Sequence, residues 1–143
     1  MNNNPLYRKT EALLYNYNKN KAQIKNIELE IENIKNKYEG VGAVSFEERV
    51  QSTNEFHSRV ENEILEKENQ INKLMKYKRQ KEIEIAKIDN AIEALTDREK
   101  SIIKMRYFEK YNNRMIAAKL DLTEEWIAKI KKVAINQILD SIF

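Results

Sequence analysis

The chain is predicted to be all-α: a long antiparallel helical hairpin, built as a coiled coil, followed by a C-terminal helix-turn-helix domain. Three observations predict it. Two Gly and one Pro are all that interrupt 143 residues, so helices should be long and turns few. Apolar side chains recur at alternating four- and three-residue spacing through the first two thirds, the period of a coiled-coil seam. The last third reads as cap, apolar stripe, corner, cap and second apolar stripe, which fits helices meeting at a tight turn. The expected domains are residues 1–94, with a loop near 39–52, and residues 95–143.

The first seam runs Leu6, Thr10, Leu13, Tyr17, Asn20, Ile24, Ile27, Ile31, Ile34, Tyr38. Pro5 suits the first helical position, where its missing N–H costs nothing. The helix is expected to stop at EGVGAVS, where Gly40 and Gly42 supply flexible backbone, and Ser45 could cap a short turn through FEERV. The second seam runs His57, Val60, Ile64, Lys67, Ile71, Leu74, Lys78, Lys81, Ile85, Ile88, Ile92, Leu95, a helix of about 60 Å. Two such helices joined by a loop fold back on one another most simply as an antiparallel pair. Either Lys67, Lys78 and Lys81 pack their stems and lift their heads to water, or the seam is loose there, with Lys78 and Lys81 level with Tyr17 and Leu13. Lys73, Lys76, Lys78, Arg79 and Lys81 form a basic cluster, read first as a solvated helix face. Leu29 and Ile83 fall opposite the seam and hint at a second contact, a homodimer through the hairpin.

Composition removes several function classes. There is no Cys, hence no disulfide, thiolate zinc site or cysteine catalysis, and a reducing cytoplasm is compatible. No apolar run approaches a membrane span and MNNNPLYRK has no apolar leader core, so a soluble, unexported protein of the cytoplasm with no membrane partner is expected. The one His, His57, has no His or Cys companion. There is no phosphate-cradling Gly loop and no metal-ligand spacing, and the carboxylates interleave with Lys as surface ion pairs do. An enzyme is not expected, nor any cofactor or metal. The net charge of +3 lies on the C-terminal end: residues 1–94 balance, while residues 95–143 carry ten basic and seven acidic side chains. A phosphate-facing surface needs that sign.

The C-terminal third is specific. Thr96-Asp97-Arg98-Glu99 is a capping box, opening a helix that buries Ile102, Ile103, Met105 and Tyr107 or Phe108. Asn112 caps a short helix from Asn113 to about Lys119, with Ile116 and Leu120 inward and Ala117 at the crossing point. Asp121 takes the corner, where a left-handed backbone is needed. Leu122 plugs that corner, Thr123 caps the next helix, and Ile127 and Ile130 anchor it. Glu124, Glu125, Trp126, Ala128, Lys129, Lys131 and Lys132 should then face outward. The partner implied is double-stranded DNA. Arg114, Thr123, Lys129, Lys131 and Lys132 would hold phosphates, while Glu125 and Trp126 would meet base edges.

These residues resemble region 4 of the sigma-70 family: L-x-x-R-E at Leu95, Arg98 and Glu99, M-R-Y-F at Met105–Phe108, and I-A-x-x-L at Ile116–Leu120. The resemblance covers about the last 45 residues. With the helical extension before it, the chain is also similar to small phage late-gene regulators of the RinA and ArpU types, in KTEALLYNY and the GVG-containing loop. It implies a phage or prophage transcriptional activator working with host RNA polymerase. Glu125 matches a family glutamate that accepts from cytosine N4, whereas Glu124 stands where the family commonly has Arg. Two further functions compete: a phage DNA-packaging protein of small-terminase type, and an interaction protein that docks on polymerase without touching DNA.

Overall fold

The computed structural model describes residues 4–42 and 54–143. Among the described residues six helices follow in order: α1 (Pro5–Tyr15), α2 (Tyr17–Gly42), α3 (Asn54–Glu93), α4 (Asp97–Ile103), α5 (Asn113–Leu120) and α6 (Glu124–Ile142). A single π-helical turn, Lys104–Phe108, extends α4. Among the described residues there is no strand, so the protein is all-α, as its periodicity requires. The expected cap at Ser45 and the turn through FEERV lie outside the described residues. Helix α2 continues through Gly40 and ends at Gly42, within the EGVGAVS segment.

The chain packs as two compact units, one of Met1–Lys21 with Ile83–Phe143 and one of Ala22–Glu82. The first unit therefore takes in more than the helix-turn-helix segment. It also holds α1, which the sequence placed in the hairpin, and the C-terminal turns of α3.

Helix α1 starts where Asn4 accepts the Leu6 N–H at 3.0 Å, with Pro5 in the first turn. It buries Tyr7, Thr10 and Leu14, a three-and-four stripe one residue removed from the Leu6–Leu13 seam. Leu6 itself is 39% exposed. The reason is the partner: α1 packs on α6 and on the π turn. Thr10 stays satisfied by donating its hydroxyl to the Leu6 carbonyl at 2.7 Å. The helix breaks at Asn16, where the Tyr15 carbonyl accepts the Lys110 ammonium at 2.7 Å. The expected continuous first helix is thus two.

Beyond the break, Tyr17 and Asn20 return to the predicted seam and are buried. Tyr17 donates its hydroxyl to Asp89 at 2.5 Å and stacks on Phe108, ring centroids 4.2 Å apart. Ile85, Ile88, Ile92 and Leu95 are buried on their predicted stripe, joined by Ala91.

In the second unit, Ile27, Ile31 and Ile34 of α2 are buried, each worth about 1.5–3 kcal/mol relative to exposure. On α3, Ile64, Ile71 and Leu74 share a partly buried stripe with Lys67, Lys78 and Lys81. The Lys78 ammonium lies 3.2 Å from Glu28 and 3.5 Å from Glu82, and the Glu28 carboxylate raises its pKa first of all. Lys78 was expected level with Tyr17; it meets Glu28 instead. A heptad pattern fixes which face is apolar and leaves the axial register to the loop and the pairing of side chains. Leu29 is exposed, as its position opposite the seam requires, and His57 lies exposed on α3.

Candidate nucleic-acid interface

The tip of the first unit is built around Ile102, Ile116, Ala117 and Ile127, with Met105, Tyr111, Leu120, Leu122 and Ile130 packed against them. Each helix entering it is capped by the side chain the sequence offers. Thr96 accepts the Glu99 N–H at 3.3 Å, Asn112 the Met115 N–H at 2.9 Å, and Thr123 the Trp126 N–H at 3.1 Å. The return bond of the capping box is not made by Glu99 Oε2, which is buried without a hydrogen-bond partner.

The corner has the geometry its residues allow. Asp121 ends α5 in the left-handed region, φ 54° and ψ 48°, and the Leu122 N–H bonds back to the Ala117 carbonyl at 3.0 Å. Ala117 is buried where α5 meets α6, so the small side chain sits where the helices approach. Ile127 is fully buried, and the register of α6 follows from it.

That register sorts the predicted site. Glu124, Glu125, Trp126, Ala128, Lys129 and Lys132 are exposed on α6, and Arg114 is exposed on α5. Thr123 is also exposed, though its hydroxyl is already engaged as the cap. Trp126 is 47% exposed, and with Asp121, Leu122 and Thr123 it lines a shallow hollow beside the corner. Its side chain is therefore about half open to solvent. Lys131 is the exception among the expected outward residues. It falls four residues after Ile127, on the side that α1 covers, and its ammonium points to Glu11 at 3.9 Å. Burial lowers its pKa, an effect Glu11 opposes and Arg106 reinforces.

The structure also gives Tyr107 and Arg106 partners that the sequence pattern did not predict, and brings forward Tyr7 and Glu11. Tyr107 is buried and donates its hydroxyl to Glu11 at 2.7 Å. Desolvation raises its pKa strongly, with the Glu11 bond adding to the effect. Tyr7 is raised in the same direction by burial, then by Glu11. Arg106 lies over both Tyr15 and Tyr107, 5.6 and 5.7 Å from their centroids. The π turn lets Tyr107 and Phe108 serve different neighbours: Tyr107 reaches α1, while Phe108 reaches Tyr17. Sequence pattern had offered either aromatic for one buried place. The signal it missed was Tyr7-x-x-Thr10-x-x-x-Leu14, a helical stripe of its own.

Chemically, the exposed tip offers Arg114 on α5 and the i,i+3 pair Lys129 and Lys132 on α6, a helix whose first turn carries Glu124 and Glu125. Those carboxylates suit the helix N-terminus but repel phosphate. Among the described residues no group of three or more His, Cys, Asp or Glu side chains could hold a metal ion.

Residues 91–138 match the family Sigma-70, region 4, and this part of the chain is a sigma-70 region 4-like helix-turn-helix, a DNA-binding module of transcription. No curated protein and no solved structure matches the chain.

Proposed function

We propose that this chain, with its region 4-like tip, is a phage or prophage transcriptional regulator of the host cytoplasm that binds double-stranded DNA and activates genes together with host RNA polymerase. The observation that carries the reading is the corner. A left-handed Asp121, a Thr123 cap and a buried Ile127 together leave Glu125, Trp126, Ala128, Lys129 and Lys132 facing solvent along one helix. A helix so presented can enter a major groove with its N-terminal residues against base edges. Arg114, Lys129 and Lys132 then contact phosphates, Glu125 accepts from a cytosine amino group, and Trp126 presses on a thymine methyl. Glu124, at a place the family commonly fills with Arg, weakens phosphate affinity and makes a polymerase partner more useful. Lys131 belongs to the scaffold of this reading rather than to its DNA contacts.

The test is binding of the purified chain to fragments of its own genome at two salt concentrations, beside the double variant Lys129→Glu, Lys132→Glu. A fragment that survives the higher salt and is lost in the variant supports the sequence-reading regulator. Weak, salt-labile binding that the variant leaves unchanged refutes it. The exposed Trp126 favours one competing reading, docking on polymerase without DNA, which predicts polymerase capture that Trp126→Ala abolishes while DNA is not bound at all.

A further inference from the structure

A second charged surface lies in the other unit, and the tip does not account for it. From Asn69 to Lys81 helix α3 carries five cations, Lys73, Lys76, Lys78, Arg79 and Lys81, and no acid. The same helix is rich in Glu on either side, with Glu61, Glu63, Glu66 and Glu68 before the block and Glu82 and Glu84 after it. Lysines scattered for solubility alternate with acids, as they do elsewhere in this chain; a block of one sign does not.

The helix sorts the block into two roles. Lys78 and Lys81 stand on the seam. Lys78 is neutralised by Glu28 and Glu82, and Lys81 lies over the Tyr77 ring, 4.8 Å from its centroid. Asn69, Asn72, Lys73, Lys76, Arg79 and Gln80 fall on the opposite side and are all exposed. Arg79 reaches Glu82 only at 3.5 Å and its side chain is 71% exposed, a contact that water and salt weaken readily. The stripe is thus cations and amides at three-and-four spacing, every member a hydrogen-bond donor, with no carboxylate between them.

We propose that this stripe of α3 is a second nucleic-acid contact, which binds the phosphate backbone of duplex DNA without reading sequence. Charge complementarity selects a polyanion, and the interleaved amides select one whose oxygens accept hydrogen bonds at regular spacing. An anionic membrane is the poorer fit. A surface-lying helix inserts a continuous apolar face, and here the outward stripe is polar over two turns. The proposal stands apart from the reading of the tip, because it uses none of the same residues.

The test uses the full chain and a labelled mixed-sequence duplex, with the triple variant Lys73→Gln, Lys76→Gln, Arg79→Gln. These changes keep good helix formers at exposed positions, so the fold is retained, and circular dichroism checks that. The expected result is about tenfold weaker binding near physiological salt, and a salt dependence shallower by roughly two to three phosphate contacts. The same loss is expected when the three changes are added to the Lys129→Glu, Lys132→Glu chain, so the stripe is measured independently of the tip. Unchanged affinity and slope in both backgrounds would overturn the proposal. So would binding to phosphatidylserine vesicles that the triple variant abolishes while duplex binding stays intact.

Discussion

The Tyr107 hydroxyl and the Lys131 ammonium converge on one oxygen, Glu11 Oε1, at 2.7 and 3.9 Å. A residue of the first helix thereby holds two elements of the C-terminal domain, the π turn and α6, across more than ninety residues of sequence. Removing the carboxylate leaves a buried hydroxyl and a half-buried ammonium without their acceptor. Glu11→Ala should cost about 2–3 kcal/mol, and Tyr107→Phe about 1.5 kcal/mol, since it deletes the donor and leaves a more exposed acceptor. Urea denaturation of the two variants and their combination measures this. Additive losses would mean that the two side chains do not share one interaction.

Among the described residues two positions have a positive φ without being glycine, Asp121 at 54° and Lys110 at 63°. Asp121 tolerates the left-handed conformation without being the residue best suited to it, so Asp121→Gly should hold or raise stability by about 0.5 kcal/mol and Asp121→Val should lose about 1–2 kcal/mol. Lys110→Gly should gain nothing. The ammonium it removes bonds the Tyr15 carbonyl and lies over the Tyr15 ring. Thermal melts of the three variants decide this, and a stabilised Lys110→Gly would count against the Tyr15 contact.

The Thr123 side chain caps the first turn of α6 by accepting the Trp126 N–H. Thr123→Ala should cost about 1 kcal/mol and Thr123→Ser close to nothing. The same pair separates capping from DNA contact. If Thr123 acts as the cap alone, the Ser variant binds DNA as the parent does; weakened binding with unchanged stability would assign its methyl group to the interface.

Burial, then the bond to Asp89, lifts the Tyr17 hydroxyl to about 12. A phenol whose folded pKa lies above its unfolded value of about 10 keeps its proton longer when folded. Its contribution is complete below pH 10 and is lost as pH rises from 10 to 12, because the unfolded state then binds fewer protons. Tyr107 shifts in the same direction. Tyr7 does so too, so tyrosinate absorbance should show three of the seven tyrosines ionising late, coincident with unfolding. In Tyr17→Phe the loss of stability over that window should be shallower; an unaltered alkaline profile would remove Tyr17 from the account.

The chain has one tryptophan, and it stands on the exposed side of α6. Its emission should be red-shifted and readily quenched by acrylamide in the free protein, then shielded when the tip engages DNA. Ile127, by contrast, anchors the same turn from inside, and Ile127→Ala should unfold the domain rather than alter its binding, with a cost of about 2–5 kcal/mol. Shielding of Trp126 that persists in the Lys129→Glu, Lys132→Glu variant would indicate a partner other than phosphate.

Much of the tip was legible because its information is local. A cap such as Asn112 or Thr123 acts on an N–H three residues away, a left-handed corner is tolerated by the residue in it, and Ile116 and Ile127 are fixed by helical period. All of these are short-range constraints written in adjacent residues, and so was the all-α class, from the scarcity of Gly and Pro. What tertiary structure alone decided is which apolar stripe faces which neighbour. Period 3.5 marked Leu6 and Leu13 as a seam, but α1 turned Tyr7 and Leu14 inward because α6 and the π turn, not a coiled-coil partner, cover it. That packing reclaimed Lys131 from the DNA face and gave Glu11 its role. It also diverted the Tyr15 carbonyl to Lys110, while in the other unit Lys78 met Glu28. Sequence spacing determines the angle of a side chain about its own helix axis; the identity of whatever occupies that angle is fixed only when the helices dock.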